Sequence, residues 1–247
     1  MFPIRDHNPS SRTPYVTYGL IAVNVLVFLG YWSLFSDPRA LQRFFYDWAL
    51  IPAAISQGAL LHGLVTSMFL HASLVHLGGN MLFLFIFGDN LEDELGHLRF
   101  LGFYLASGVA AGLAQFLADP GSIMPTVGAS GAIAGVMGGY LLMFPKARVD
   151  VLFIFVIFFR IFPLPAWIML GVWFAFQLFG GASAASDVGG VAYWAHAGGF
   201  VAGILLILPL WMARGGPAYW QRTHGHPPNP DARYRRTPIP VVRRRRR

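Results

Sequence analysis

The sequence predicts an all-α polytopic membrane protein in which six transmembrane helices form one bundle. Two observations support this fold class. Hydrophobic residues make up 55% of the 247 residues and charged residues only 12%, whereas a soluble domain carries about 25% charged residues. Apolar runs of about 20 residues, the length that crosses a bilayer, also recur along the chain.

Six apolar stretches are long enough to be spans, and they cover residues 15–35, 66–88, 98–118, 127–144, 164–182 and 194–213. A further apolar stretch, 149–162, has an uncharged core of only nine residues before Arg160 and Pro163 interrupt it. Because this core is too short to cross a bilayer, we expect it to be interfacial or to form a broken lead-in to the fifth helix.

The basic residues that flank the spans predict an N-in, C-in topology. Five of them fall on one side of a six-span arrangement: Arg5, Arg12, Lys146, Arg148 and Arg214. The long first outer loop, 36–65, holds two arginines balanced by two aspartates, so it bears only weakly on the orientation. The loops 119–126 and 183–193, on the other side, contain no lysine or arginine. Basic residues concentrate in cytoplasmic loops, so both termini are expected in the cytoplasm.

Three regions follow from this pattern. Residues 1–14 are a cytoplasmic N-terminal segment, 15–213 form the membrane domain, and 214–247 are a basic tail with ten arginines and one aspartate. Such a composition cannot build a core, so we expect the tail to be disordered and to contact anionic lipid headgroups rather than nucleic acid. The chain has no cysteine, which excludes disulfides and thiol chemistry.

Four reactive side chains are expected at a similar depth below the outer face. Ser130 and His196 lie in the first turns of the fourth and sixth helices, and His71 and His76 lie in the outer half of the second. A lone intramembrane serine or histidine is more often a packing or hydrogen-bonding residue. Their common depth favours a functional cluster that faces the bundle interior or a water-filled cavity.

Small residues repeat every four positions on the two helices that carry Ser130 and His196. The repeat on the fourth helix is Gly131, Gly135 and Gly139, and the repeat on the sixth is Ala195, Gly199 and Gly203. Such stripes let two helix backbones approach closely, which would bring the serine hydroxyl within about 2.6–3.2 Å of the imidazole, the distance a serine–base pair needs. Tight packing alone would also explain the stripes.

His76 and Asn80 lie four residues apart and therefore share one face of the second helix. Both can donate hydrogen bonds, and preorganised donors of this kind stabilise an oxyanion intermediate. The Ser130 N–H, at a helix N-terminus, is a natural third donor. A purely structural histidine–asparagine pair remains the alternative.

Three motifs together resemble the rhomboid family of intramembrane proteases. GASG (128–131) resembles the rhomboid GxSG motif that contains the nucleophile. HASLVHLGGN (71–80) is similar to HxxxxHxxxN, and AHAGGFVAG (195–203) is similar to AHxxGxxxG. The motifs occur in the family order on the second, fourth and sixth helices, and the resemblance covers residues 15–213.

The resemblance implies a Ser–His dyad, with Ser130 as nucleophile and His196 as general base and acid. It also implies an oxyanion hole formed by His76, Asn80 and the Ser130 N–H. Four glycines that flank these residues are expected near the site: Gly128, Gly131, Gly199 and Gly203.

Two further positions match the family at a structural level, and one departs from it. His71 resembles a structural or water-retaining position, and Glu92 resembles a glutamate that holds the inner end of the bundle. Ala134 stands where some members have a tyrosine that stacks on the catalytic histidine. Other groups must therefore orient His196, and the sequence does not indicate which.

The function that the resemblance implies is hydrolysis of peptide bonds in or next to transmembrane segments. The substrates would be single-span membrane proteins whose helix unwinds locally near the outer leaflet. No metal or cofactor is expected, and HASLVH lacks the glutamate of the HExxH zinc motif. We expect a multi-pass protein of the cell (plasma or inner) membrane, with the active site opening to the extracytoplasmic side.

Two other functions remain open. A non-proteolytic rhomboid-like protein would bind membrane helices, but such a protein usually lacks the serine or the histidine. A small transporter would explain intramembrane polar residues. It would more naturally show inverted repeats, and the sequence shows none.

Overall fold

The computed structural model describes residues 2–155, 158–183 and 191–226, and these are mostly helical. The α-helices, numbered α1 to α10 in chain order, are Tyr15–Gly30, Pro38–Trp48, Pro52–Ser56, Gly63–Thr66, Leu74–Leu95, His97–Ala118, Ser130–Met143, Ala166–Ser183, Tyr193–Ala213 and Pro217–Thr223. Two short 3₁₀ helices cover Trp32–Ser36 and Ser67–Phe69.

Six of these helices overlap the six stretches that hydropathy marks as spans. Within the described residues, four helices are long and apolar enough to cross a membrane: α5, α6, α8 and α9. The helices α1 and α7 are apolar but shorter. The polytopic helical fold is therefore confirmed, whereas the count of six crossings and the N-in, C-in orientation stay predictions.

Helix α7 is the centre of the bundle, because almost every one of its side chains is buried. Its backbone touches that of α9 directly. A methyl group built on Gly199 would collide with the carbonyl oxygen of Gly131, and one on Gly203 would collide with the carbonyl oxygen of Gly135. The small-residue stripes thus face each other, as close backbone packing requires.

Replacing Gly203 by alanine is expected to lower the thermal unfolding temperature in detergent, because the new methyl group would push α7 and α9 apart. Overpacking of this kind costs about 1–3 kcal/mol. Gly102→Ala on α6 is the matched control, since nothing lies within 4 Å of a methyl group there. This control should leave stability unchanged or raise it slightly. Equal unfolding temperatures for the two variants would contradict the close packing.

The described residues also form a three-stranded antiparallel sheet, in the order β1 (Phe2–Asp6), β2 (Arg148–Phe155) and β3 (Phe158–Pro165). In the chain, β1 precedes α1, whereas β2 and β3 lie between α7 and α8. Of the two alternatives expected for 149–162, the broken lead-in to the fifth helix is wrong, because the described residues of this stretch form two antiparallel strands. The interfacial position stays a prediction. Its β-branched and aromatic residues favour strands. Val149 and Val151 are fully buried and join the core.

Asp150 fastens β1 to β2 by its side chain as well as by the ladder. Its carboxylate accepts hydrogen bonds from Arg5 Nε and from the His7 ring, both at 2.7 Å. Burial alone would raise the pKa of Asp150, but the hydrogen bonds from His7 and Arg5 outweigh burial and hold this pKa below its ordinary value. Residues 2–7 of the predicted N-terminal segment are thus bound to β2.

Glu92, near the C-terminal end of α5, is almost fully buried and binds the N-terminus of α1. Its carboxylate accepts hydrogen bonds from the Val16 and Thr17 amides at 2.8 Å and from the Thr17 hydroxyl at 2.7 Å. His97 Nδ1 lies 2.6 Å from the same carboxylate. A carboxylate is favourable at a helix N-terminus, where the first amides have no partner within the helix.

The first part of the basic tail is helical, unlike the disordered segment expected for 214–247. Helix α10 packs against the end of α7, where Trp220 Nε1 donates to the Leu142 carbonyl at 2.8 Å. Arg214 forms an ion pair with Glu94 at 2.8 Å. The final arginines, and with them the predicted contact with headgroups, lie in 227–247, outside the described residues.

Candidate active site

Ser130 is the first residue of α7, so its hydroxyl and its amide lie at the open end of that helix. The preceding turn is fixed by two contacts. Gly128 N–H donates to the Ser67 carbonyl at 2.9 Å, and Leu50 and Thr126 form a short antiparallel bridge. Gly128 has φ +133°, a conformation that side chains other than glycine rarely adopt. Glycine at this position therefore permits the turn that presents Ser130.

His196 lies in the first turn of α9, beside Ser130. Its Nε2 atom is 2.7 Å from Ser130 Oγ. The close contact of α7 with α9 through Gly131 and Gly199 places the two helix starts at the same level. The serine and the histidine, 66 positions apart in the chain, are thus within the hydrogen-bonding distance expected from the sequence.

The opposite nitrogen of the His196 ring contacts α8. Its Nδ1 atom is 2.8 Å from Gln177 Oε1, and the Trp173 ring lies 5.8 Å from the imidazole between centroids. The sequence did not reveal either partner. A signal existed for Gln177, which is the one amide in the apolar run AWIMLGVWFAFQLFG, since polar residues within a span are functional candidates.

His76 and Asn80 approach Ser130 from α5. A methyl group built on Gly128 would lie 2.8 Å from His76 Nε2 and 3.5 Å from Ser130 Oγ, so these two atoms border the same small space. Asn80 Nδ2 is buried and has no hydrogen-bond partner within the described residues. An unpaired buried donor is costly unless a ligand or intermediate uses it. The space beside Ser130 is therefore suited to hold an anionic oxygen.

His71 is fully buried behind His76, and the two rings meet edge to face at 5.1 Å. The backbone N–H and carbonyl of His71 both bond the Tyr31 hydroxyl, at 2.7 and 2.8 Å. His71 thus packs against His76 on the side of Tyr31. Glu92 lies far from the site, near the other end of α5.

One cavity of about 930 Å³ joins these groups, and it is lined by His76, Asn80, Gly128, Ser130 and His196 among others. Gln115 of α6 closes it near α9 by accepting the Ala195 amide at 3.2 Å. Within the described ranges, no three histidine, aspartate or glutamate side chains gather as a metal site would require. The groups present can carry a proton, attack a carbonyl carbon and bind an oxyanion.

Comparison with known proteins gives the family. The Rhomboid domain model matches residues 59–213, more than half of the chain. Rhomboid protein 1, mitochondrial, of Saccharomyces cerevisiae is 34% identical over 198 residues, which cover 77% of this chain and 51% of the yeast protein. The human presenilin-associated rhomboid-like protein, mitochondrial, is 33% identical over 138 residues, covering 55% of this chain and 35% of the human one.

A bacterial relative is also similar over a shorter stretch. The putative rhomboid protease YdcA of Bacillus subtilis is 41% identical over 80 residues, which cover 32% of this chain and 40% of YdcA. The matched region thus spans about half the length of the yeast relative and less of the other two.

The relatives correct the expected location. We expected the cell (plasma or inner) membrane, with an active site open to the extracytoplasmic side, but the yeast and human relatives are mitochondrial proteins by name. That expectation is therefore wrong, although a multi-pass membrane protein is supported. The expectation failed because the basic residues that flank a span indicate on which side of a bilayer a loop lies. They do not indicate which of a cell's membranes contains the protein.

Ser130 and His196 both lie within the matched residues 59–213. This chain belongs to the rhomboid family.

Proposed function

We propose that this chain is an intramembrane serine endopeptidase that cleaves peptide bonds in or next to the transmembrane segments of membrane proteins. The pairing of Ser130 Oγ with His196 Nε2 at 2.7 Å is the observation that carries the proposal. Membership of a family of intramembrane proteases supports it. A serine becomes a strong nucleophile only beside a base that takes its proton, and this geometry meets that need.

The first half of the reaction forms an acyl-enzyme. His196 Nε2 takes the hydroxyl proton of Ser130 while Oγ attacks the carbonyl carbon of the scissile bond, and the carbonyl oxygen becomes an oxyanion. The protonated His196 then gives that proton to the leaving amine as the C–N bond breaks. The amine product departs, and the acyl group stays esterified to Ser130.

The second half returns the enzyme to its starting state. A water molecule in the cavity attacks the ester carbon as His196 Nε2 takes one of its protons. The tetrahedral intermediate collapses, Ser130 regains that proton from His196, and the carboxylic acid product leaves. Each proton taken by His196 is thus returned within the same half-reaction.

Three donors are proposed to bind the oxyanion in both halves: the Ser130 N–H, the His76 ring and the Asn80 amide. The unpaired state of Asn80 Nδ2 in the described chain supports this role. The space that a Gly128 methyl group would fill lies between His76 and Ser130, where the oxyanion would sit. Preorganised donors act strongly in such a site because little water competes with them.

The proposed substrates are single-span membrane proteins held in the same bilayer. Inside a helix, the carbonyl oxygen of each peptide bond accepts a hydrogen bond from a backbone N–H one turn further on, and the helix packs around that bond. The serine hydroxyl must nevertheless reach the carbonyl carbon. The substrate must therefore present a locally unwound stretch at the level of Ser130. The cavity beside Ser130 offers polar groups to such a stretch.

The test is covalent labelling by a fluorophosphonate probe together with cleavage of a single-span reporter in proteoliposomes. We expect the probe to be recovered on the peptide that contains Ser130, and we expect probe treatment to stop cleavage. Folded protein that neither reacts with the probe nor cleaves several reporters would contradict the proposal. The helix-binding, non-proteolytic alternative would then be preferred.

A further inference from the structure

The His196 ring is held on both sides, and only one side carries the proposed nucleophile. Gln177, one turn after Trp173 on α8, occupies the other side and is 8% exposed. Its Oε1 atom is 2.8 Å from His196 Nδ1. Its Nε2 atom donates to the Trp173 carbonyl at 3.3 Å.

The second hydrogen bond decides how the Gln177 amide is oriented. A carbonyl oxygen can only accept, so the nitrogen of the amide must face the Trp173 carbonyl and the oxygen must face His196. An amide oxygen in turn can only accept, so His196 Nδ1 must carry a proton. The neutral ring then has a free lone pair on Nε2, which is the atom that faces Ser130 Oγ.

We propose that Gln177 is a positioning residue that holds His196 in the Nδ1–H tautomer and fixes the plane of its ring. This inference rests on the proposed function, because it assigns to Gln177 the orienting role that a third residue plays beside a serine–histidine pair. It also explains how His196 is oriented although Ala134 stands where some family members have a tyrosine. The ring is oriented from α8 by an amide and by Trp173, and not by an aromatic residue four positions after the nucleophile.

An amide suits this position better than a carboxylate. Gln177 is buried between helices of a membrane bundle, where an ionised side chain is expensive. A neutral amide selects the tautomer through its acceptor oxygen without placing a charge there. The hydrogen bond from the Gln177 amide to the Trp173 carbonyl lies within α8. The orientation of the amide is therefore fixed without any contact from α9.

A purely structural role is the alternative, since an interhelical hydrogen bond also stabilises a bundle. Two variants separate the roles. Gln177→Met keeps the length and the apolar packing but removes the acceptor, whereas Gln177→Glu keeps an acceptor oxygen at the same place. Gly171→Ala is the control on α8, where a methyl group would meet nothing within 4 Å.

Steady-state cleavage in proteoliposomes is the first measurement. Gln177→Met is expected to lower kcat by about 10²-fold, the low end of what a positioned acid–base group contributes. KM should change less than about threefold, because the substrate contacts are kept. Gln177→Glu should recover most of the rate, and Gly171→Ala should match the wild type. Equal rates for Gln177→Met and Gln177→Glu, high or low, would overturn the proposal.

A second measurement does not require activity, so it separates failure of this inference from failure of the proposed function. The ¹⁵N NMR shifts of histidine side chains distinguish the two neutral tautomers, and His196 is assigned by comparison with His196→Ala. We expect a fixed Nδ1–H tautomer in the wild type at neutral pH and a mixture in Gln177→Met. An Nε2–H tautomer in the wild type, or no change in Gln177→Met, would refute the positioning role even in an inactive protein.

Discussion

Replacing Ser130 or His196 by alanine is expected to lower the cleavage rate by about 10⁴- to 10⁶-fold, because either change removes the nucleophile–base pair as a unit. The two side chains share one 2.7 Å contact. The double variant should therefore be no slower than the slower single variant. Single-turnover cleavage of a reporter in proteoliposomes measures these rates.

The controls for this prediction are Ser36→Ala and His62→Ala, which alter exposed residues in the region between α1 and α5. They should cleave at the wild-type rate. Activity that survives Ser130→Ala would remove the nucleophile assignment. Multiplicative losses in the double variant would show that the serine and the histidine act separately.

Replacing Asn80 by aspartate is expected to lower kcat by about 10²- to 10³-fold, the usual cost of losing one oxyanion donor. Aspartate keeps the size of the side chain but has no N–H to donate. The donor that disappears is Nδ2, which has no partner within the described residues. Asn80→Ala should lose about as much, since both variants remove the same donor. Initial rates at several reporter concentrations give kcat and KM separately.

The division between kcat and KM decides how Asn80 acts. An oxyanion donor stabilises the transition state more than bound substrate, so KM should stay nearly constant. A raised KM with unchanged kcat would instead make Asn80 a substrate-binding residue. Gln57→Ala, at an exposed position after α3, is the control and should leave both constants unchanged.

Hydropathy and small-residue spacing predicted much of the helical framework. The predicted spans 98–118 and 194–213 lie within one residue of α6 and α9. The approach of Ser130 to His196 was also predictable, because the glycine repeats indicate which faces of two helices meet. Local patterns carried this information, so no knowledge of distant contacts was needed.

Two features depend on distant contacts and were missed for that reason. The stretch 149–162 would be equally apolar as a helix or as strands, so its composition does not decide between them. The third strand of its sheet is β1, which comes from the far N-terminus and pairs, for example, Phe2 with Leu152. Gln177 lies on a helix that is apolar on nearly every side. Its sequence therefore does not fix which side of the helix faces His196.

The pairing of β1 with β2 sets a condition on how the chain is threaded during synthesis. Phe2 pairs with Leu152, so β1 is made roughly 8–30 s before its partner at ordinary rates of about 5–20 residues per second. The two strands can meet only if the chain between them crosses the bilayer an even number of times. The predicted six-span arrangement puts four crossings between the two strands, by α1, α5, α6 and α7. In that arrangement, a failure to insert any one of these helices would leave the strands on opposite sides of the membrane, each with an unpaired edge.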